Sequence, residues 1–351
     1  MTITRRSALL LPAAIGAAPA AQAQTASPSA SPSAAPSAAP SAPAAAPAAN
    51  GPWPNRTVRI IVPAPGGGGT ADTLARVFAQ EMEKRVGQRV IIDNRGGANG
   101  NIGALAGARS APDGYTILWS WAGTLATGPA LYKDLPFDPE KDFEPVALIG
   151  NVPNVLVVNK ELPIRNLAEF GAYARANPNA INFGSTGNGS SMHLAGELYK
   201  SLTGTQMIHV PYTSPAAGVT DLLSGRIQAM FNLITGVAGQ VRAGAVTPIA
   251  VLDTQRSPQL PDVPTTAELG MPGLVFGTWF GLFLPKGADP ALLRQLNTLA
   301  NEILNDPEAK ARFEQQGMAT LGGPPERLAT FLHEEIQRHA ALVRQSGARN
   351  D

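Results

Sequence analysis

The chain of 351 residues contains no cysteine and only four histidines. The absence of cysteine excludes disulfide bonds, thiolate catalysis, iron–sulfur clusters and lipid attachment to a cysteine. His333 and His339 lack the i, i+4 spacing of a zinc-binding helix, and we interpret both as solvated. No Gly-x-Ser-x-Gly segment supplies a hydrolase nucleophile elbow. Metal, redox and serine hydrolase chemistry are therefore disfavoured.

Excess charge of either sign is absent as well. The 27 basic and 26 acidic residues nearly cancel, leaving a formal net charge of +1. No basic patch of the kind that nucleic acid or anionic lipid requires is present, so neither is expected as a partner. The apolar run near the N-terminus is shorter than the ~20 residues of a membrane-spanning helix.

The N-terminal residues instead have the pattern of an export signal. Arg5 and Arg6 precede the short apolar run, and Ala21-Gln-Ala23 offers the small residues of a cleavage site. This pattern predicts a signal peptide over residues 1–23, exported by the twin-arginine or the Sec route. Residues 24–50 are almost entirely Ala, Ser and Pro, which predicts a disordered linker that takes no part in the fold.

The first glycine loop, residues 66–69, is the first candidate site. It follows the apolar run Val58–Val62 and precedes a segment with apolar residues at helical spacing, which predicts strand, loop and helix. Backbone N–H groups at a helix N-terminus attract an anion. The loop lacks the Gly-Lys-Ser/Thr ending of a phosphate-binding loop, which favours a carboxylate. Asp72 either satisfies helix N–H groups, fixes the loop or binds the ligand.

The second glycine loop, residues 185–190, repeats this arrangement later in the chain. It follows a predicted strand, opens a predicted helix and lacks the third glycine of a dinucleotide-binding motif. Hydroxyl groups of Thr70, Ser185, Thr186 and Ser190 stand beside the backbone donors of the two loops. His193 lies one turn into the second helix, where it can orient the loop or reach a ligand.

Strands and helices alternate through the rest of the chain, which predicts an α/β fold with parallel β-α-β units. Ligands of such sheets bind beyond the carboxyl ends of the strands, where Trp121 and Thr124 also lie. We expect two lobes facing each other across a cleft and hinged near Val157 and Gly277. Lobe 1 would comprise residues 51–157 and 278–351, and lobe 2 residues 158–277.

At these residues the chain resembles the extracytoplasmic solute receptors of tripartite tricarboxylate transporters, the Bug or TctC family. The matching motifs occupy residues 62–76, 93–95, 100–103, 111–116, 183–189, 193–197, 209–212, 221–225 and 260–265. The resemblance implies a two-lobe periplasmic binding protein fold of the type II kind, each lobe a mainly parallel sheet flanked by helices. It implies a monomeric, non-enzymatic receptor in the periplasm, without cofactor or metal, that delivers a small carboxylate to the membrane permease subunits of such a transporter.

The same resemblance implies that backbone amides and waters of the two loops hold the ligand carboxylate. The expected ligand-binding residues are Gly67, Gly68, Gly69, Thr70, Asp72, Trp121, Thr124, Ser185, Thr186, Gly187, Asn188, Gly189, Ser190, His193 and Asn232. The first loop is about one residue longer than the usual family pattern, and Asn232 replaces a common Asp. The alternatives are a sensory subunit that presents solute to a membrane kinase, and a hydrolase or isomerase that uses His193 and Asp72.

Overall fold

The strands form where β-branched and aromatic residues run together, and most of the helices follow an N-cap glycine, serine, asparagine, aspartate or proline. A computed structural model describes residues 52–67 and 69–348. The predicted signal peptide, the predicted linker and Gly68 lie outside the described residues. The described residues form ten strands, β1 (Val58–Val62), β2 (Val90–Asn94), β3 (Thr116–Trp121), β4 (Phe143–Asn159), β5 (Asn182–Ser185), β6 (Ile208–Pro211), β7 (Ala229–Leu233), β8 (Val246–Val251), β9 (Gly277–Pro285) and β10 (Ala319–Thr320).

Helices alternate with these strands along most of the chain. The described part of the chain contains ten α-helices, α1 (Thr70–Val86), α2 (Asn101–Ala108), α3 (Gly128–Leu131), α4 (Leu167–Ala176), α5 (Ser191–Thr203), α6 (Pro215–Leu223), α7 (Ile234–Arg242), α8 (Pro290–Asn305), α9 (Pro307–Gln315) and α10 (Pro325–Ser346). The Asn166 side chain caps α4, where it accepts a hydrogen bond from Glu169 N. Proline occupies the first turn of α8, α9 and α10, where its missing N–H costs nothing.

Two groups of parallel strands are joined by long antiparallel strands. The strand order is β2-β1-β3-β9-β4-β7-β5-β6, with β8 and β10 also paired to β4. β1 runs parallel to β2 and β3, and β5 runs parallel to β6 and β7. We call the group around β1–β3 lobe 1 and the group around β5–β8 lobe 2. Because β4 and β9 run antiparallel to their neighbours, each lobe has a mixed sheet built on a parallel core.

β4 is the connection between the lobes. It pairs with β9 as far as Pro153, and from Asn154 onward it pairs with β7 and β8 of lobe 2. β9 returns the chain to lobe 1, where it pairs with β3. The passage between lobes thus falls near the predicted hinge segments, while the lobe boundaries at residues 157 and 277 stay a prediction.

Aromatic side chains fill the core of each lobe. In lobe 1 the Trp119 ring lies 5.7 Å from that of Phe78 and 5.9 Å from that of Phe280. In lobe 2 the Phe231 ring contacts both Phe170 and Phe183 edge-on. Such offset and edge-on pairs stabilise a core beyond the area they bury. Within the described residues, no helix is both long enough and apolar enough to cross a membrane.

The interpretation of His339 as solvated is wrong. This side chain is 2% exposed, and its Nδ1 lies 2.7 Å from Thr127 Oγ1 while its Nε2 lies 3.2 Å from Glu335 Oε2. His333 is solvated as expected, with 61% of its side chain exposed and its Nδ1 2.9 Å from Glu140 Oε1. The two histidines do lie on different faces of α10, but one of those faces packs onto the protein.

Candidate functional site

Asp72 holds the first glycine loop in place from inside the first turn of α1. Its side chain is 2% exposed. Gly67 N donates to Asp72 Oδ2 at 3.2 Å, and Asn94 Nδ2 donates to Oδ1 at 3.0 Å. Arg76 pairs with the same carboxylate at 2.9 Å. Of the roles considered for Asp72, the geometry shows that of fixing the loop.

The glycines of this loop meet specific steric and conformational demands. A Cβ atom at Gly66 would lie 3.0 Å from Asn94 Oδ1, so a side chain there would press on the partner of Asp72. Gly67 has a φ of 110°, a conformation that other residues rarely adopt. Gly69 precedes α1 without any side-chain cap. The backbone donors at the start of α1 are therefore not engaged by a capping side chain.

Thr70 connects the first loop to lobe 2. Its Oγ1 lies 3.0 Å from Thr235 Oγ1 in the first turn of α7. This hydrogen bond places the N-termini of α1 and α7 next to each other. The second loop makes a different contact near lobe 1, because a Cβ atom at Gly189 would lie 2.3 Å from the Leu131 side chain.

The second glycine loop is held by its own serine hydroxyls. Gly187 N donates to Ser185 Oγ at 3.0 Å, and Ser190 Oγ donates to Gly187 O at 2.8 Å. Ser190 also caps α5 by accepting from His193 N at 3.2 Å. The expected anion donor Gly187 N is thus already paired within the loop.

His193 fixes the same loop from the first turn of α5. Gly189 N donates to His193 Nδ1 at 3.1 Å. Nδ1 must therefore be unprotonated, and the neutral ring carries its proton on Nε2, which faces Glu197 Oε1 at 3.7 Å. Of the two roles predicted for His193, the structure shows that of orienting the loop.

His209 packs directly on His193 and was not expected at the site. The two rings stack with centroids 3.8 Å apart, and His209 Nε2 lies 2.5 Å from Ser185 Oγ. Burial, followed by the charges of His209 and Lys200, lowers the pKa of His193 to about 3. Burial and then Lys200 lower the pKa of His209 to about 4. Both rings are therefore neutral at neutral pH, and a neutral His193 ring can accept the hydrogen bond from Gly189 N at its Nδ1.

The remaining predicted residues differ in exposure. Trp121 at the end of β3 is half-buried, whereas Thr124 is buried and donates to Asn99 O at 3.0 Å. In the second loop Thr186 is half-buried and Asn188 is exposed. Asn232 is fully buried at the end of β7, and neither its Oδ1 nor its Nδ2 has a hydrogen-bond partner among the described residues.

The sequence reasoning missed α7 and therefore Thr235. The signal was present, because apolar residues recur there at helical spacing and their side chains pack into the core: Ile234, Val237 and Ala238. Asn94, which supports Asp72 from the neighbouring strand, was included in a motif but given no role at the site.

The two loops present side-chain hydroxyl groups and backbone N–H groups as hydrogen-bond donors. No group of three or more His, Cys, Asp or Glu side chains in the described ranges could hold a metal ion. At the two loops, the buried side chains of Asp72 and His193 each accept a hydrogen bond from a backbone N–H group. Such an arrangement can bind an anion with few charged side chains.

Comparison with known proteins gives consistent matches. The family model described as "Tripartite tricarboxylate transporter family receptor" matches residues 74–348. Protein BugT of Bordetella pertussis is 38% identical over 298 residues, covering 85% of this chain and 91% of the relative. Residues 74–348 contain most of the motifs on which the resemblance was based.

Solved structures agree with the sequence relatives. R. palustris Rpa4515 with adipate has a TM-score of 0.76 at 35% identity and covers 85% of this chain and 100% of its own. MatC from Rhodopseudomonas palustris with bound malate has a TM-score of 0.71 at 33% identity, with 83% and 100% covered. These likenesses confirm the two-lobe periplasmic binding protein fold. The chain belongs to the TctC family, the solute receptors of the tripartite tricarboxylate transporter type.

Proposed function

We propose that this protein is a periplasmic receptor that closes around a small organic carboxylate and delivers it to the permease subunits of a tripartite tricarboxylate-type transporter. The observation that carries the proposal is the matched pair of glycine loops. Each loop ends a parallel strand and opens a helix, and each is held from within by one buried side chain, Asp72 or His193. Related receptors solved with adipate and malate support a carboxylate as the ligand class.

The proposed binding residues remain those of the two loops together with Trp121, Thr124 and Asn232. A carboxylate requires only a few donors, which the first turn of α1 supplies through its uncapped N–H groups. In the second lobe the N–H groups of Gly187 and Gly189 are already used, so hydroxyls and other backbone donors must contribute there. Ligand would favour the closed arrangement of the lobes, hinged at the strands β4 and β9.

A hydrolase or isomerase based on His193 and Asp72 is the less favoured function. His193 Nδ1 accepts a backbone hydrogen bond, and burial lowers the ring pKa to about 3. A general base is most effective when its pKa lies near the working pH. Asp72 is paired with Arg76 and Asn94. Both groups therefore support loops rather than present a reactive atom.

Calorimetry with purified protein tests the proposal. The titration would use a panel of mono-, di- and tricarboxylates and aromatic acids that includes adipate and malate. We expect saturable binding of at least one acid and no turnover of it. Mass spectrometry of ligand released on denaturation would identify what the protein carries after purification. If no acid in the panel binds, the receptor proposal is wrong.

Delivery to a permease needs a separate experiment. Co-purification of the exported protein with membrane subunits should recover permease subunits in the presence of ligand. Recovery of a membrane kinase instead would support the alternative of a sensory subunit, since a sensor requires the same ligand-closed form.

A further inference from the structure

Among the ten described helices, α7 is one of five, with α1, α2, α3 and α10, whose N-cap residue makes no side-chain hydrogen bond. Side chains cap α4, α5, α6, α8 and α9. In contrast, α7 follows Leu233, which has no side-chain hydrogen bond to offer, just as α1 follows Gly69. The first-turn N–H groups of both helices therefore lack a capping side chain, and both helix dipoles favour an anion there.

These two helix starts lie in different lobes and face each other. Thr70 is the first residue of α1 and Thr235 the second residue of α7, and their Oγ1 atoms are 3.0 Å apart. Both side chains are half-buried. Two positive helix ends with a hydroxyl on each thus meet at one point between the lobes.

Asn232 adds an independent feature beneath the same point. Its side chain is 0% exposed, and neither polar atom is paired within the described residues. The carboxamide points at the first turn of α7, because Asn232 Oδ1 lies 3.0 Å from the position of a Cβ atom at Gly236. Leaving a buried carboxamide unpaired costs free energy, which a hydrogen-bonding occupant would recover.

The start of α5 is more fully occupied. Ser190 caps that helix, Ser185 takes Gly187 N, and His193 takes Gly189 N. Within lobe 2, the start of α5 therefore has fewer N–H donors available to an anion than the start of α7 has.

We infer that the first turn of α7 is part of the solute site, with Thr235 as a direct ligand of a solute carboxylate held opposite α1 and with Asn232 supporting it. The inference rests on the proposed function and makes Thr235 a residue that selects for an acid group.

A set of threonine variants tests this inference by calorimetry with adipate and malate. Thr235→Val removes the hydroxyl at nearly constant volume and should weaken binding of the acid that wild type binds by roughly tenfold or more, the loss of one charge-assisted hydrogen bond. Thr235→Ser restores a hydroxyl and should stay within about threefold of wild type. Thr220→Val on α6, where the hydroxyl bonds only Ala216 O of its own helix, is the matched control and should bind like wild type.

The variant Thr70→Val and the double variant Thr70→Val/Thr235→Val show whether the two hydroxyl groups contact the ligand or only each other across the lobes. If the two hydroxyls act only through their mutual hydrogen bond, either single variant and the double variant lose the same affinity. Direct contact of both with the ligand predicts a further loss in the double variant.

The outcomes distinguish this inference from the function on which it rests. If wild type binds an acid and Thr235→Val stays within about twofold of it, the assignment of α7 is wrong and the receptor function stands. If wild type binds neither probe nor any acid in the wider panel, the receptor function fails and the assignment of α7 fails with it. Equal losses in both single variants and the double variant would also overturn direct contact by Thr235.

Discussion

Replacing Asp72 by Asn should loosen the first glycine loop. In the native protein the carboxylate accepts from Gly67 N and Asn94 Nδ2 and pairs with Arg76. An asparagine keeps the shape but has one acceptor and one donor end. The Nδ2 group of the asparagine would then face one of the two donors, Gly67 N or Asn94 Nδ2, and that donor would lose its acceptor.

The size of the effect follows from the exposure of the partners. Arg76 is 51% exposed in its side chain, so water replaces most of its lost interaction and that pair contributes at most about 1 kcal/mol. The carboxylate is 2% exposed, and leaving one of its buried donor partners unsatisfied costs about 1–3 kcal/mol. We therefore expect Asp72→Asn to lower the free energy of unfolding by about 2–3 kcal/mol.

Urea unfolding followed by circular dichroism measures this change, and hydrogen exchange at Gly67 locates it. The exposed ion pair of Arg56 with Asp113 supplies the matched control. Asp113→Asn removes the same charge and should change the free energy of unfolding by less than about 0.5 kcal/mol. A value for Asp72→Asn as small as that of the control would refute the view that this carboxylate holds the loop.

Three further predictions concern lobe 2 and α10. Burial lowers the pKa of His209 to about 4, so the unfolded state binds the proton more readily and the free energy of unfolding should fall as the pH drops from about 6.5 to 4. Urea unfolding at pH 7 and at pH 4.5 should show that His209→Phe loses less free energy of unfolding between the two pH values than wild type does. An equal loss in the variant and in wild type would contradict the prediction. Gly187→Ala, at a φ of 107°, should lower the thermal midpoint by an amount equivalent to about 1 kcal/mol. Gly239→Ala within α7 should raise the midpoint by an amount equivalent to about 0.5–1 kcal/mol. Neither new Cβ atom meets another atom within 4 Å, so the backbone conformation alone separates the two variants, and shifts in the same direction would show that φ is not decisive. His339→Ala should lower the free energy of unfolding by about 3 kcal/mol, because it empties a buried site and unpairs two partners; a change below about 1 kcal/mol would contradict this.

Sequence signals close to the first glycine loop were sufficient to predict the strand that precedes it. The bounds of β1 agree with the apolar run Val58–Val62, since Pro63 and the glycines that follow end the strand within a few residues. The role of Asp72 could be narrowed but not assigned from sequence, because its partner Asn94 lies on β2 and is brought to it only by the pairing of β1 with β2.

α7 and His339 were misjudged because tertiary packing decided them. Gly236 and Gly239 lower the helix propensity of the segment after β7, yet Ile234 and Val237 anchor it in the core. The spacing of His333 and His339 correctly excluded a zinc-binding pair, but it could not predict which face of α10 is buried, because that face is determined by the segments that pack against the helix. Phe276, with its ring 5.6 Å from His339, comes from a distant segment of the chain.

The two glycine loops follow one physical rule with different chemistry. In lobe 1 a carboxylate in the first turn of the helix accepts the loop N–H of Gly67, and in lobe 2 an imidazole in the same position accepts that of Gly189. Each interaction fixes the loop before any ligand arrives, which reduces the entropy lost on binding. It also removes those N–H groups from the set available to a solute. Recognition must then depend on the donors that remain, and those at the meeting point of Thr70 and Thr235 are the ones shared between the lobes.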